Sequence, residues 1–216
     1  MQNLTKIIEF LKQRLQKELP GISAHSKMIP QVRHLEFFPV PETARKSSVL
    51  FLLFKKNSKI CTLIIKRPPY NGVHSSQISF PGGSFQKTDI LLKNTALREA
   101  EEEIGINKKH VEIIGSLTEL YIPPSNFLVK PFIGYTKYSE NFIPDKREVE
   151  KIIITEIDKF MDVKNLKTKK IKIQSGLDFE TPYYDICGET VWGATAMIFS
   201  EFTEIMKEYV GTLFKK

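Results

Sequence analysis

The chain has 216 residues, 41% of them hydrophobic and 26% charged, a globular composition long enough to bury one sizeable core without a disulfide framework. Mean hydropathy is -0.21, no apolar run approaches the roughly 20 residues of a membrane span, and Cys61 and Cys187 have no metal-ligand spacing; membrane, collagen, disulfide-scaffold and disordered classes are excluded, and a reducing, cytoplasmic compartment is expected. The net charge of +7 favours an anionic partner, but the excess sits in KKNSK and in Lys164 to Lys172, read as solvated faces; without a basic stripe interleaved with aromatics no nucleic-acid partner is expected, and a phosphorylated small molecule satisfies the same charge.

Leu4, Ile7, Ile8, Leu11, Leu15 and Leu19 recur at helical spacing until Pro20 and Gly21, predicting an N-terminal helix packed on the main core. Its charges, spread through every turn, do not read as a secretory signal. Residues 20–46, with four prolines and little periodicity, read as an extended connection. Residues 1–45 are thus expected to be a helix and connection appended to a domain of residues 46–216. SSVLFLLF (Ser47 to Phe54) predicts a buried strand, KKNSK a turn and ICTLIIKR (Ile60 to Arg67) the returning strand. PPYNGVHSS reads as loop and QISF as a strand running into a sharp PGG turn. LLKNTALREAEEEIG is helix-periodic and stops at Gly105. VEIIGSLTEL and FLVKPFIGYT read as strands, EVEKIIITEIDKF as strand plus short helix, and a Lys-rich hairpin, a YYDI strand and a helix from about Val191 to Leu213 follow. Strands mixed with a few well-separated helices give an α/β or α+β class.

Chemistry concentrates in Gly82 to Ile106. At roughly 100° per residue, Glu99, Glu102 and Glu103 share one arc of the helix, while Ala96, Leu97, Ala100 and Ile104 form another that faces a core. Like charges at i,i+4 cost roughly 0.2–0.5 kcal/mol per pair even in water. They also lie near the helix C-terminus, where the macrodipole disfavours anions. Arg98 offsets part of this; a hard divalent cation, Mg²⁺ or Mn²⁺, would offset more. Gly82 and Gly83 just upstream allow backbone N–H groups to approach phosphate oxygens.

These residues resemble the Nudix box, G-x5-E-x7-R-E-U-x-E-E-x-G-U with U apolar. Arg98, Glu99, Ala100, Glu102, Glu103, Gly105 and Ile106 fill its second half in register, while in the first half, counted from Gly83, the acidic position is Asp89 and one extra residue precedes Arg98. The coenzyme A pyrophosphatase branch of the family is similar in that respect. Its upstream signature, L-L-T-x-R-[SA]-x3-R-x3-G-x3-F-P-G-G, is matched at Leu63, Arg67, Phe80, Pro81, Gly82 and Gly83, with Pro68, Gly72 and Ser76 replacing three of its residues. Gly72 removes a candidate phosphate contact, which leaves His74 or a lysine to substitute for it. The resemblance implies a Nudix-type α/β/α sandwich around a mixed β-sheet, with an N-terminal helix appended. It also implies a small diphosphate substrate cut with Mg²⁺ or Mn²⁺. Glu99, Glu102 and Glu103 would hold the metal and Arg98 would orient them, with Glu102, Glu103 or Glu148 as general base; for Glu148 a plain exposed loop charge is the stronger competitor, and for Arg98 a surface ion pair competes. Arg67, His74, Phe80, Gly82 and Gly83 become candidate substrate contacts. For Arg67 a structural salt bridge competes with that role, for His74 simple solvation, and for Phe80, as for Trp192, a place in the core.

Overall fold

The computed structural model describes residues 4–30, 39–69, 75–138, 141–172 and 178–213. In chain order the elements are α1 (Leu4–Arg14), α2 (Ile22–His25), β1 (Arg45–Lys56), β2 (Lys59–Lys66), β3 (Ile78–Ser79), β4 (Gly82–Ser84) and α3 (Leu92–Ile104). Then come β5 (Glu112–Ser116), β6 (Leu120–Ile122), β7 (Phe127–Tyr135), β8 (Lys151–Glu156), α4 (Asp158–Met161), β9 (Leu166–Lys172), β10 (Asp178–Ile186), β11 (Glu189–Val191) and α5 (Gly193–Leu213).

The main sheet runs β3-β2-β1-β7-β5, with β4 added to β1, β6 to β7 and β8 to β2. It is mixed, because β1 and β7 pair in parallel while β1 and β2 form an antiparallel hairpin. That hairpin closes through Asn57 and Ser58, both at positive φ, the backbone that a two-residue primed turn demands. A second, three-stranded sheet has the order β11-β10-β9 and includes the expected Lys-rich hairpin.

Strand β1 explains the layering. Its period-2 alternation sends Phe51 and Leu53 to one face, where they pack with Ile7, Leu11 and Met28 and with Phe199, Phe202 and Ile205 of α5. Leu50, Leu52 and Phe54 face the other way, onto Ala96, Ala100 and Ile104 of α3. A strand covered on both faces reads as a continuous apolar run, and helices cover both sides of the sheet, as expected. Among the described residues no helix is long and apolar enough to cross a membrane.

Three local expectations need correction. Helix α1 ends at Arg14, and Leu15 and Leu19 pack on the core from the turn that follows; the Arg14 guanidinium donates to the Glu18 carbonyl at 2.7 Å and holds that turn. Residues 20–46 are not simply extended, since they include α2 and a 3₁₀ turn at Ser26–Met28. The VEIIGSLTEL strand breaks into β5 and β6 because Glu201 of α5 intrudes. Its buried carboxylate accepts from the Thr118 hydroxyl at 2.6 Å and from the Thr118 N–H, so that N–H is lost to the ladder.

Candidate metal centre

Four segments converge at one end of the sheet: the residue after β2, the glycine pair of β4, helix α3, and the loop entering β8. The helix begins where Asp89 prepares it. One Asp89 oxygen accepts from the Gln86 N–H at 2.9 Å and from the Thr95 hydroxyl at 2.9 Å, so the turn before α3 is capped by a buried acid. The helix stops at Gly105, whose φ of +69° is the left-handed C-cap that glycine adopts without strain.

Glu103 lies on the core side of the acidic arc and is 1% exposed. Its Oε2 accepts from the Gly82 N–H at 2.8 Å. Its Oε1 lies 3.0 Å from the Arg67 guanidinium, an ion pair lacking hydrogen-bond alignment, so among the described residues Oε1 has no hydrogen-bond partner. Burial pushes the Glu103 carboxyl from its ordinary 4.5 up to about 7, with Arg67 and the Gly82 amide opposing and Glu99 and Glu148 adding to the rise. Burial raises Glu99 as well, against the pull of Arg98. One carboxylate oxygen from each of Glu99, Glu103 and Glu148 lies within 4.8 Å of the others. A buried carboxylate with one oxygen that accepts no hydrogen bond, grouped with two more carboxylates, is a hard-oxygen donor set of the kind that fits Mg²⁺ or Mn²⁺.

Arg98 is the clamp. It donates to both Asp89 oxygens at 2.8 and 3.0 Å, to Glu99 at 2.8 Å, to Glu102 at 3.0 Å and to the Ser84 carbonyl at 3.1 Å. The guanidinium holds Asp89 well below the usual carboxylate range, and Asp89 in turn raises Arg98 further. The shorter acid that departs from the box thus ties the turn before α3 to Thr95 of the helix and fixes the arginine.

Several expected roles shift. Glu102 does not join the carboxylate group. It sits at the solvent edge of the arc, 53% exposed, and its carboxylate turns to Arg98; about 100° of helix separates it from Glu103. Glu148 takes the third place, although it is an exposed loop residue. Arg67 is engaged with Glu103 and with the Gly82 carbonyl at 3.0 Å, which is the salt-bridge alternative. Phe80 is 1% exposed and packs against Phe51 and Phe199; the core claims it and leaves no face for substrate. Trp192 is only half-buried, its ring 5.9 Å from that of Phe179.

The glycines act differently from the expectation of free phosphate-binding amides. The Gly82 N–H is already donated to Glu103, and a Cβ on Gly82 would fall 2.3 Å from the Ser48 carbonyl oxygen. A Cβ on Gly83 would fall 2.5 Å from the Glu99 carboxylate. Both positions stay bare so that β4 can lie against β1 and the two carboxylates can lie against β4. Gly82 and Gly83 therefore seat the acids. His74 and Gly72 lie outside the described residues.

A mixed sheet between helical layers, with hard-oxygen donors gathered at one helix and its neighbouring loop, defines a class of α/β/α proteins suited to binding a divalent cation. The chain belongs to the Nudix family, since the NUDIX domain model matches residues 44–176, more than half its length. It is 30% identical over 137 residues to the peroxisomal coenzyme A diphosphatase NUDT7 of Mus musculus, a match covering 63% of this chain and 57% of that one. It is 27% identical over 160 residues to the uncharacterised Nudix hydrolase NudL of Photorhabdus laumondii, covering 74% and 84%. The chain spans a little over half the length of the first curated relatives it matches. Among solved structures, a Nudix hydrolase from M. smegmatis, RenU, superposes with a TM-score of 0.51 at 13% identity over 78% of this chain and 87% of that one, a likeness of fold.

Proposed function

We propose that this chain is a pyrophosphohydrolase that uses Mg²⁺ or Mn²⁺ to cleave the diphosphate of coenzyme A or its derivatives, giving 4′-phosphopantetheine and 3′,5′-ADP. The observation that carries the hydrolytic part is the grouping of the buried Glu103 carboxylate, one of whose oxygens accepts no hydrogen bond, with those of Glu99 and Glu148. Glu99, Glu103 and Glu148 would hold the cation, which when bound supplies charge neutralisation on the diphosphate and a lower pKa for water. Arg98 keeps Glu99 aimed and takes up the charge of Glu102. Arg67 balances Glu103. Glu148 is the most exposed of the three acids, and that exposure supports reading it as the group that takes the proton of the attacking water. The choice of coenzyme A is supported by the similarity to the mouse diphosphatase and by the match at Leu63, Arg67 and Phe80 to Gly83. The net charge of +7 suits a substrate with an extra 3′-phosphate.

The test is product analysis in ¹⁸O-labelled water with Mg²⁺, with Mn²⁺ and with a chelator. Label in one of the two named products, with no turnover in chelator, supports the reading. Intact coenzyme A beside turnover of a dinucleoside polyphosphate or a nucleotide sugar would overturn the substrate. Full-speed cleavage in chelator would overturn the metal.

A further inference from the structure

Glu148 needs an explanation. It is exposed, it sits in a loop, and it faces two carboxylates whose charge repels it. A free side chain there would swing into water, so something holds it.

The loop before β8 is fastened to α3 at its C-terminal end. The Ile143 N–H donates to the Ile104 carbonyl at 2.9 Å, and the Asp145 N–H donates to the carbonyl of Glu103 at 3.1 Å. A Cβ on Gly105 would fall 3.1 Å from the Ile143 carbonyl oxygen, so the bare C-cap also lets the loop close in. From Asp145 the chain makes a single turn. The Asp145 carbonyl accepts from the N–H groups of Glu148 at 3.0 Å and Val149 at 2.8 Å. The Asp145 carboxylate accepts from the Arg147 N–H at 2.9 Å. Val149 is then fully buried, and the Glu150 N–H donates to the Lys66 carbonyl at 2.8 Å. The turn is therefore tied at its start to the backbone of one acid of the group, capped by a side chain, and anchored beyond its end in the core.

From this geometry we infer that Asp145 is a positioning residue: its carboxylate oxygen caps the turn that carries Glu148 and holds Glu148 against Glu99 and Glu103. The inference rests on the metal-site reading above and assigns the residue that completes that site. The cap, not the charge, does the positioning. Asp145 also pairs with Arg147 at 2.6 Å, but the Arg147 side chain is 86% exposed, and an ion pair that open to water contributes little. Capping depends on a short side chain with an acceptor one carbon from Cβ, which Asn retains and Glu does not.

The experiment is titration of Mn²⁺ by electron paramagnetic resonance on the full chain and on Asp145→Asn, Asp145→Glu, Arg147→Ala, Glu148→Gln and the double variant Asp145→Glu/Glu148→Gln, each with a thermal melt. Expected is a roughly 10-fold or greater weakening of Mn²⁺ binding in Asp145→Glu and in Glu148→Gln, the size of effect usual for groups that orient a ligand. The double variant binds no more weakly than Glu148→Gln alone. Asp145→Asn and Arg147→Ala stay within about threefold of the parent chain, with melting unchanged in both. Weak binding in Asp145→Asn with strong binding in Asp145→Glu would make the charge the agent and overturn the cap. So would losses that add in the double variant. Parent-like binding in Glu148→Gln would instead remove Glu148 from the metal site and overturn the reading on which the cap depends.

Discussion

Replacing Glu103 by Gln sets stability against function, and the structure gives the size and sign. The Glu103 carboxyl is raised from 4.5 to about 7 by burial. A folded-state value above the unfolded one means that the native chain binds the proton more tightly, so this group favours folding fully below about pH 4.5. That contribution is lost as pH rises through about 7. At about 1.4 kcal/mol for each tenfold, holding the ionised form in place at pH 8 without metal costs about 3 kcal/mol. Gln has the same shape, keeps an acceptor for the Gly82 N–H and carries no charge. It leaves Arg67 facing an amide, which returns part of the gain, so a net stabilisation of about 1–2 kcal/mol is expected. For a chain of this size that is a Tm rise of about 3–6 °C. The assay is thermal melting in chelator at pH 8 and pH 5. The variant should melt higher than the parent at pH 8 and nearly level with it at pH 5. Excess Mg²⁺ should raise the parent but not the variant, and turnover should fall by orders of magnitude. A variant that melts lower at both pH values, or that gains equally at both, refutes the claim that a buried anion only partly compensated by Arg67 sits at this position.

Gly83→Ala should fold, because the atoms nearest its Cβ are the carboxylate end of the Glu99 side chain rather than backbone. Glu99 is pushed out of place, however, and Mn²⁺ affinity and turnover should each drop by roughly 10–100-fold in a titration and an initial-rate assay. Gly82→Ala meets Ser48 and Val49 backbone instead and should be lost to the insoluble fraction, or melt far below the parent. Glu102→Gln alters an exposed carboxylate paired with Arg98, so turnover should stay within about tenfold of the parent; a loss as large as that of Glu103→Gln would return Glu102 to the site. Glu201→Ala strips partners from Gly21, His25 and Thr118 and should cost about 3–5 kcal/mol in urea unfolding.

Helix α3 was legible because one segment carries its periodicity, its glycine stop and its acids, and the β1–β2 hairpin because its turn and apolar runs are local. The third acid was harder to see. Glu148 stands 45 positions after Glu103 in a polar loop without periodicity, and it is brought back by the hydrogen bonds of residues 143–145 to the end of α3 and by the anchoring of Val149 and Glu150. The sequence pattern also overstated Glu102, since helical spacing places three acids on an arc without saying which edge meets the core. For Arg67 the sequence leaves a phosphate contact and a structural salt bridge equally open, and only the fold shows that a buried carboxylate takes both its guanidinium and the Gly82 N–H. Asp89 looked like a departure from a motif, yet its short side chain suits the cap it forms. The Glu201 link to His25 and Thr118 left no local signal, because it joins three segments distant in sequence.

The family-matched stretch, 44–176, contains the three acids and both flanking glycines but only half the packing of the sheet that carries them. Phe51 rests 4.3 Å from Phe202 and 5.2 Å from Phe199, ring centre to ring centre, and Leu53 shares that layer with Ile7 and Leu11. A fragment trimmed to the matched boundaries would turn this layer into a greasy slab facing water. The two ends of the chain together form the lid of the interior, so a substitution in the first turns of the protein and one in its last helix are neighbours in consequence, though nearly 200 residues apart.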